Sequence, residues 1–245
     1  MLDAAVVIPV YNHGATAVRM VQSVRALGLP CIVVDDGSDA QCAALLDAVA
    51  APPQVELVRL PVNQGKGGAV MAGLRAALRQ GRTHALQIDA DGQHDVRDIP
   101  LFLDLARRHP AAVICGQPVY DAQVPRSRLI ARYATHVWVW INTLSLDIRD
   151  SMCGFRVYPL PAVVALIDGA RLGQRMNFDP EVLVRLHWRG VAIVNQPTRV
   201  TYPQDGVSHF RLWHDNLLIS WMHTRLFCGM LLRLPLLLWR KLGPA

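Results

Sequence analysis

The sequence predicts an α/β fold, a mostly parallel central sheet with helices on both faces. Short apolar runs of four to seven residues alternate with amphipathic stretches as far as about residue 116. The runs are apolar at successive positions, as strands covered on both faces must be. Gly28, Pro52-Pro53 and Pro110 fall where the amphipathic stretches stop, the places where helices end.

The elements follow in order. "AAVVIPV" reads as a strand. "GATAVRMVQSVRALG" carries Val18, Val21, Val24 and Leu27 at helical spacing. "PCIVVDD" is a second strand and "AQCAALLDAVA" a second helix. "VELVRLP" is a third strand that runs into a Gly-rich turn, and "GGAVMAGLRAALRQG" is the helix after it. "HALQID", "VRDIPLFLDLARRHP" and "AAVICGQ" continue the alternation as strand, helix and strand. Beyond residue 116 the pattern loosens. A basic loop leads into the long apolar helix of "YATHVWVWINTLSL", "DSMCGFRVYP" turns and then extends, "NFDPEVLVRLHWRG" opens a helix near Asp179-Pro180, and "VAIVNQPTRVTYP" is a strand or hairpin.

The composition narrows the function. Hydrophobic residues make up 52% and charged residues 18%, which excludes a disordered chain. A net charge of +6 favours anionic partners such as phosphates, nucleotides or an acidic membrane surface. The Arg residues are scattered and form no basic run, so nucleic acid is not an expected partner. The five Cys residues lack metal or redox spacing and read as reduced thiols.

Three strands end in polar residues, at Pro9-Tyr11-Asn12, at Asp35-Asp36 and at Asp89-Asp91. Ligands of open parallel sheets bind at the carboxyl ends of the strands, so the sheet should gather these loops. Asp89 and Asp91, separated by the small Ala90, repel one another unless a cation lies between them. With Gln93 they form an oxygen donor set suited to Mg2+ or Mn2+. A capped turn with solvated acids is the plainer reading of the same residues. Asp36 reads either as an Asx turn or as an acceptor for the donors of a nucleotide. "NQGKGGAVMAG" fails the P-loop pattern, since Gly67 rather than Ser or Thr follows Lys66. It also fails the dinucleotide pattern at Val70. Its glycines still permit close backbone approach at a helix N-terminus that favours an anion.

"VVIPVYN", "IVVDDGS", "NQGKGGAVMAG" and "QIDADGQHDVRDIP", in this order, resemble the family 2 glycosyltransferases, within them the dolichyl- and polyprenyl-phosphate sugar synthases; "DSMCGFRVY" resembles that subgroup's acceptor-side loop. The resemblance covers about residues 4–210. It implies a nucleotide-sugar-binding type A (GT-A) fold, a divalent metal and inversion at the anomeric carbon. Carried over, it places Pro9, Tyr11, Val34 and Asp36 at the nucleotide. Lys66, Asp89, Ala90 and Asp91 fall around the nucleotide sugar, and Asp89, Asp91 and Gln93 at the metal. Asp179 falls at the position of a catalytic base, with Phe178 where many members have Glu, and Glu181 is the alternative base. Gly116-Gln117-Pro118 and the His209 of "DGVSHF" stand where the subgroup often has cations for phosphates. Arg126, Arg128, Arg156 and His209 are then the candidates for the acceptor phosphate.

The last thirty or so residues are apolar but interrupted by Arg225, Arg233 and Pro235, too broken for a spanning helix. Trp221, Trp239, Arg240 and Lys241 suit an interfacial helix, and a homodimer contact is the rival use of the same residues. The expectation is a domain over 1–212 and a membrane-interfacial segment over 213–245. The enzyme would lie peripherally at the cytoplasmic face of the cell membrane and move a sugar from a nucleoside diphosphate to a lipid-linked acceptor. The alternatives are a sugar-1-phosphate nucleotidyltransferase, which needs an activating Gly-rich loop with Lys that "PVYNHGATAVRM" lacks, and an inactive nucleotide-sugar-binding scaffold.

Overall fold

A computed structural model describes residues 2–120, 126–201 and 212–242. Strand β1 (Ala4–Val10) is buried throughout, and its alternate side chains enter two different cores. Ala5 and Val7 pack with Ile32 and Val34 of β2 (Cys31–Asp35), while Val6 and Ile8 pack with Cys31 and Val33 on the opposite face. That division explains why the strand sequences are continuously apolar. Helices α1 (Gly14–Ala26), α2 (Ala40–Val49) and α4 (Ile99–Arg108) cover one face. Helices α3 (Lys66–Arg79), α6 (Leu160–Gly169) and α7 (Phe178–Trp188) cover the other.

The remaining strands are β3 (Val55–Arg59), β4 (His84–Gln87), β5 (Val113–Tyr120), β6 (Arg156–Pro159) and β7 (Ile193–Val200). The seven-stranded order is β3-β2-β1-β4-β6-β5-β7. β1, β2, β3 and β4 run parallel, as do β5 and β7, whereas β6 is antiparallel to both neighbours. The inserted β6 matters for the site. Its first residue, Arg156, pairs with Gln87 at the end of β4. The segment entering β6 therefore arrives at the same sheet edge as the acids leaving β4.

Helix α5 (Arg126–Thr143) packs against α8 (Leu212–Leu242), which runs unbroken for 31 residues through Pro235. Ile219, Met222, Leu226, Met230 and Leu237 of α8 lie in the same core as α3, α6 and α7. The C-terminal segment is thus built into the body of the fold along one stripe rather than appended to it. No helix among the described residues is long and apolar enough to cross a membrane.

Candidate active site

The three polar strand ends do converge, because β2, β1 and β4 are adjacent. The first two loops are laced together. The Asn12 amide donates to Ser38 Oγ at 3.1 Å, and the Asp39 amide donates to Asn12 Oδ1 at 2.9 Å. Asn12 adopts the left-handed region, φ 56°, which Asn tolerates better than most residues. Tyr11 is half-buried beside it. Pro9, Val34 and Ala90 turn their side chains into the fold, so what they can offer a ligand is backbone. The expectation that Val34 packs beside a nucleotide is corrected by its place in the core with Ala5, Val7 and Ile32.

Asp36 also differs from expectation. Its carboxylate accepts from the Gln64 amide at 2.7 Å, the Gly65 amide at 2.8 Å and Asn63 Nδ2 at 3.0 Å. Burial raises its pKa, against the two amides that lower it. Asp36 is a latch that fastens the turn before α3 to the end of β2, so its side chain faces protein donors rather than a nucleotide. The Asx contact that closes β2 belongs instead to Asp35, whose Oδ1 accepts from the Ser38 amide at 2.9 Å.

That latch presents Lys66 at the first position of α3. Its ammonium lies 2.7 Å from Asp89 Oδ2 and 2.7 Å from Asp179 Oδ2. Burial opposes the Lys66 charge, but Asp179 and Asp89 outweigh it and hold its pKa above the ordinary range. Lys66 therefore joins the acidic pair after β4 to the acid opening α7. Asp89 is set from the other side by Gly154. A Cβ added there would lie 2.0 Å from Asp89 Oδ2 and 2.3 Å from its Cγ, so a residue other than glycine would displace the Asp89 carboxylate.

A divalent ion fits this donor set. Asp89 Oδ1 is buried with no hydrogen-bond partner among the described residues. The Asp91 pKa is pushed up to about 6, first by burial and then by Asp89. Its Oδ1 accepts from the Gln93 amide at 3.0 Å, which turns the loop back and keeps Gln93 close. Lys66 alone leaves this carboxylate pair under-neutralised, the condition a cation relieves. Among the described residues no group of three His, Cys, Asp or Glu could hold an ion. Gln93 and ligand oxygens would have to complete the shell, as Mg2+ sites with phosphate substrates commonly do.

Asp179 and Glu181 share the first turn of α7 but not an environment. Asp179 is buried among Lys66, Gln87 Nε2 at 3.5 Å and the Arg156 guanidinium at 3.5 Å. Arg156 is 0% exposed and donates to the Asp179 carbonyl at 2.8 Å, the Ser151 carbonyl at 2.7 Å and Tyr158 Oη at 3.2 Å. This corrects the expectation for Arg156: a fully enclosed guanidinium cannot meet an acceptor phosphate and instead backs Asp179. Glu181 is also 0% exposed. It accepts from the Gly173 amide at 2.8 Å, Arg185 Nε at 2.9 Å and Arg225 of α8 at 3.3 Å. The alternative base is therefore a structural carboxylate. Arg126 and Arg128 fall at the start of α5, where side chains are outside the described ones, and His209 lies outside the described residues.

One cation the sequence reading missed is Arg132 on α5. It forms a two-pronged pair with Asp150, at 2.7 and 2.6 Å, and stands 5.7 Å from the Tyr120 ring centroid. Burial works against the Asp150 charge, but His136 and Arg132 hold its carboxyl below the ordinary range. His94 links this cluster to the acids. Burial lowers its pKa to about 4, and Asp89 and Lys66 on one side and Arg132 and Asp150 on the other lie within its electrostatic reach. Nothing in a helical stretch such as "RLIARYATHV" marks Arg132 beforehand. Asp150 heads "DSMCGFRVY" and was the nearest available signal.

Comparisons with known proteins agree with this geometry. The family described as "Glycosyl transferase family 2" matches residues 5–160. An uncharacterised protein of Methanocaldococcus jannaschii is 25% identical, over 83% of this chain and 90% of its own. The polyprenol monophosphomannose synthase of Mycolicibacterium smegmatis is 27% identical, over 83% of this chain and 79% of its own. A dolichyl-phosphate beta-glucosyltransferase of Dictyostelium discoideum is 28% identical over 62% of this chain, which spans only 49% of that protein. Among solved structures, glucosyl-3-phosphoglycerate synthase from Mycobacterium tuberculosis, in complex with Mn2+, UDP-glucose and glycerol 3-phosphate, superimposes with a TM-score of 0.63. At 18% identity, over 94% of this chain and 79% of that one, that likeness shows the shared GT-A fold.

Proposed function

Because the chain belongs to glycosyl transferase family 2, and resembles its polyprenyl-phosphate sugar synthases, we propose that it transfers a sugar, with inversion, from a nucleoside diphosphate to a lipid phosphate of the polyprenyl type. The observation that carries the acceptor class is the state of Asp179. Its carboxylate is enclosed and ion-paired to Lys66 and Arg156. A buried carboxylate whose two oxygens already meet Lys66 and Arg156 is badly placed to reach an acceptor hydroxyl, and a general base must lie within hydrogen-bond reach of the proton it takes. Glu181, the other candidate, is buried beneath α8. A hydroxyl acceptor needs a base, whereas a phosphate oxygen arrives already anionic. In the proposed step that oxygen forms a bond to the anomeric carbon from the face opposite the donor diphosphate. The bond from that carbon to the diphosphate breaks, the nucleoside diphosphate leaves with the electron pair, and no proton moves.

Lys66 would act on the departing diphosphate, with Asp179 and Arg156 fixing its position. Asp89, Asp91 and Gln93 would hold Mg2+ or Mn2+ beside the diphosphate, and when bound the ion would supply Lewis-acid neutralisation of the leaving group. Arg132, aimed by Asp150, would donate hydrogen bonds to the acceptor phosphate. The lipid would be presented by a membrane surface against α5 and α8. Tyr133, Trp138 and Ile141 of α5 are exposed, as are Trp213, Leu217, Trp221, Leu232 and Trp239 of α8, and aromatic and basic side chains of this kind suit an interfacial helix.

The test is acceptor competition. Purified enzyme with Mn2+ and a panel of UDP- and GDP-sugars is offered a polyprenyl phosphate, the corresponding free polyprenol, or 3-phosphoglycerate. Transfer to the polyprenyl phosphate alone, with no loss of rate assignable to a base near neutral pH, is the expected result. Faster transfer to either hydroxyl acceptor would overturn the reading.

A further inference from the structure

The N-terminus of α3, which carries Lys66, is gripped on two sides. Asp36 holds the Gln64 and Gly65 amides from the β2 side. The segment 170–177 holds it from the other: the Gly68 amide donates to the Gln174 carbonyl at 2.9 Å. The approach is close enough that a Cβ on Gly67 would lie 2.4 Å from the Phe178 Cβ and 2.9 Å from the Gly173 carbonyl. Segment 170–177 is itself tied to α8 twice. Arg175 pairs with the buried Asp215 at 3.7 Å. The Gly173 amide donates to Glu181, and the same carboxylate receives Arg225 at 3.3 and 3.4 Å.

We infer that Arg225, acting with Glu181, is a positioning residue for Lys66: α8 straps segment 170–177 against the α3 N-terminus and so sets the ammonium between Asp89 and Asp179. The inference rests on the proposed reading of Lys66 as the cation of the donor diphosphate. The chain of contacts is continuous, from Arg225 to Glu181, to the Gly173 amide, to the Gln174 carbonyl, to the Gly68 amide in the first turn of α3. Burial makes Glu181 depend on its partners. Arg185 remains on that carboxylate at 2.8 Å when Arg225 is removed, so the fold should tolerate the loss while the strap slackens. A shift of Lys66 by a fraction of an ångström is enough to matter, since catalytic geometry is sensitive on that scale.

The experiment compares the full chain with Arg225→Met and Arg225→Lys. Amide hydrogen exchange over residues 64–69 and 170–178 reads the strap directly, without any substrate. Steady-state transfer, with donor and acceptor varied separately, reads its consequence. In Arg225→Met, exchange over both segments should quicken about tenfold with β1 and β4 unchanged. The donor KM should rise or turnover fall by about tenfold, the acceptor KM should hold, and Arg225→Lys should recover most of the loss. Unchanged exchange in Arg225→Met overturns the strap. Faster exchange with unchanged donor kinetics overturns the positioning role. Equal damage by Arg225→Lys, or loss spread evenly over both substrates, does the same. If the wild-type protein transfers no sugar, the functional reading fails while the exchange data still decide the strap.

Discussion

The two ends of Lys66's bridge teach different lessons about buried charge. At one end Asp89 and Asp91 follow a strand into a loop, partly open to solvent, with an oxygen unpartnered among the described residues and one proton-hungry carboxylate. At the other, Asp179 is sealed by Arg156, Gln87 and Lys66. The first arrangement is under-neutralised and suits binding a cation. The second is neutralised within the protein and suits holding something still. Identical side chains 2.7 Å from the same ammonium thus sit in opposite electrostatic surroundings, according to what else lies near them.

The largest expected effect breaks the open end. Gly154→Ala places a methyl within 2.0 Å of Asp89, and the carboxylate must move. Turnover should fall by at least about 100-fold while thermal unfolding and far-ultraviolet dichroism change little. Wild-type rates in this variant would mean Asp89 is not where the chemistry occurs.

A smaller effect separates a counter-ion from a base. Asp179→Asn keeps the shape but removes one charge from Lys66. Turnover should drop about 10- to 100-fold, with the shape of the pH–rate profile preserved. A base would instead reveal itself by the disappearance of the acidic limb in the variant.

How much of this contrast was visible in the chain follows from what kind of signal each end leaves. Asp89, Asp91 and Lys66 sit in short-range patterns, a strand running into acids and a Gly-rich turn opening a helix, and such patterns are local. The first five strands and the polar strand ends were legible for the same reason. Arg156, Arg132 and Gly154 owe their roles to the antiparallel insertion of β6 between β4 and β5, a long-range pairing that no local pattern encodes. Glu181 misled because an acid in a helix's first turn reads the same whether it faces a cleft or a neighbouring helix. Asp36 misled because its ligands are backbone amides more than twenty-five residues later, invisible in any side-chain motif.

A further test uses pH. The Asp91 carboxyl titrates at about 6 in the fold, against about 3.9 in an unfolded chain. The folded protein therefore holds that proton more tightly. The group favours folding fully below about pH 4, and this contribution is lost as pH rises through 6. The shift corresponds to at most about 3 kcal/mol, less once screening at a partly exposed site is counted. A divalent ion competes with the proton, so Mn2+ should raise the melting temperature at pH 7.5 and have little effect at pH 5. Asp91→Asn should flatten both dependences. Equal stabilisation at the two pH values would show that the ion binds elsewhere.

The smallest effect on the chemistry itself, and the sharpest on location, concerns α8. Its inner stripe, Met222, Leu226 and Met230, is core, while Trp213 at 88% and Leu232 at 84% exposure mark its outer side. Deleting the helix would therefore unfold the body and report nothing about membranes. Replacing the outer residues leaves the inner stripe intact. Trp213→Ser with Leu217→Ser and Trp221→Ser should unfold within about 1 kcal/mol of wild type, because exposed side chains contribute little to stability. Flotation with vesicles containing anionic lipid should be lost, since apolar burial at the headgroup boundary drives such binding. Transfer to a short, water-soluble analogue of the lipid phosphate should persist within about twofold, because all three side chains are exposed. Transfer to the long-chain acceptor in vesicles should fall with flotation. The rival use of the patch gives a different pattern: a wild-type protein that stays off vesicles and sediments as a dimer, and a triple variant that sediments as a monomer, would assign these side chains to a second copy of the chain.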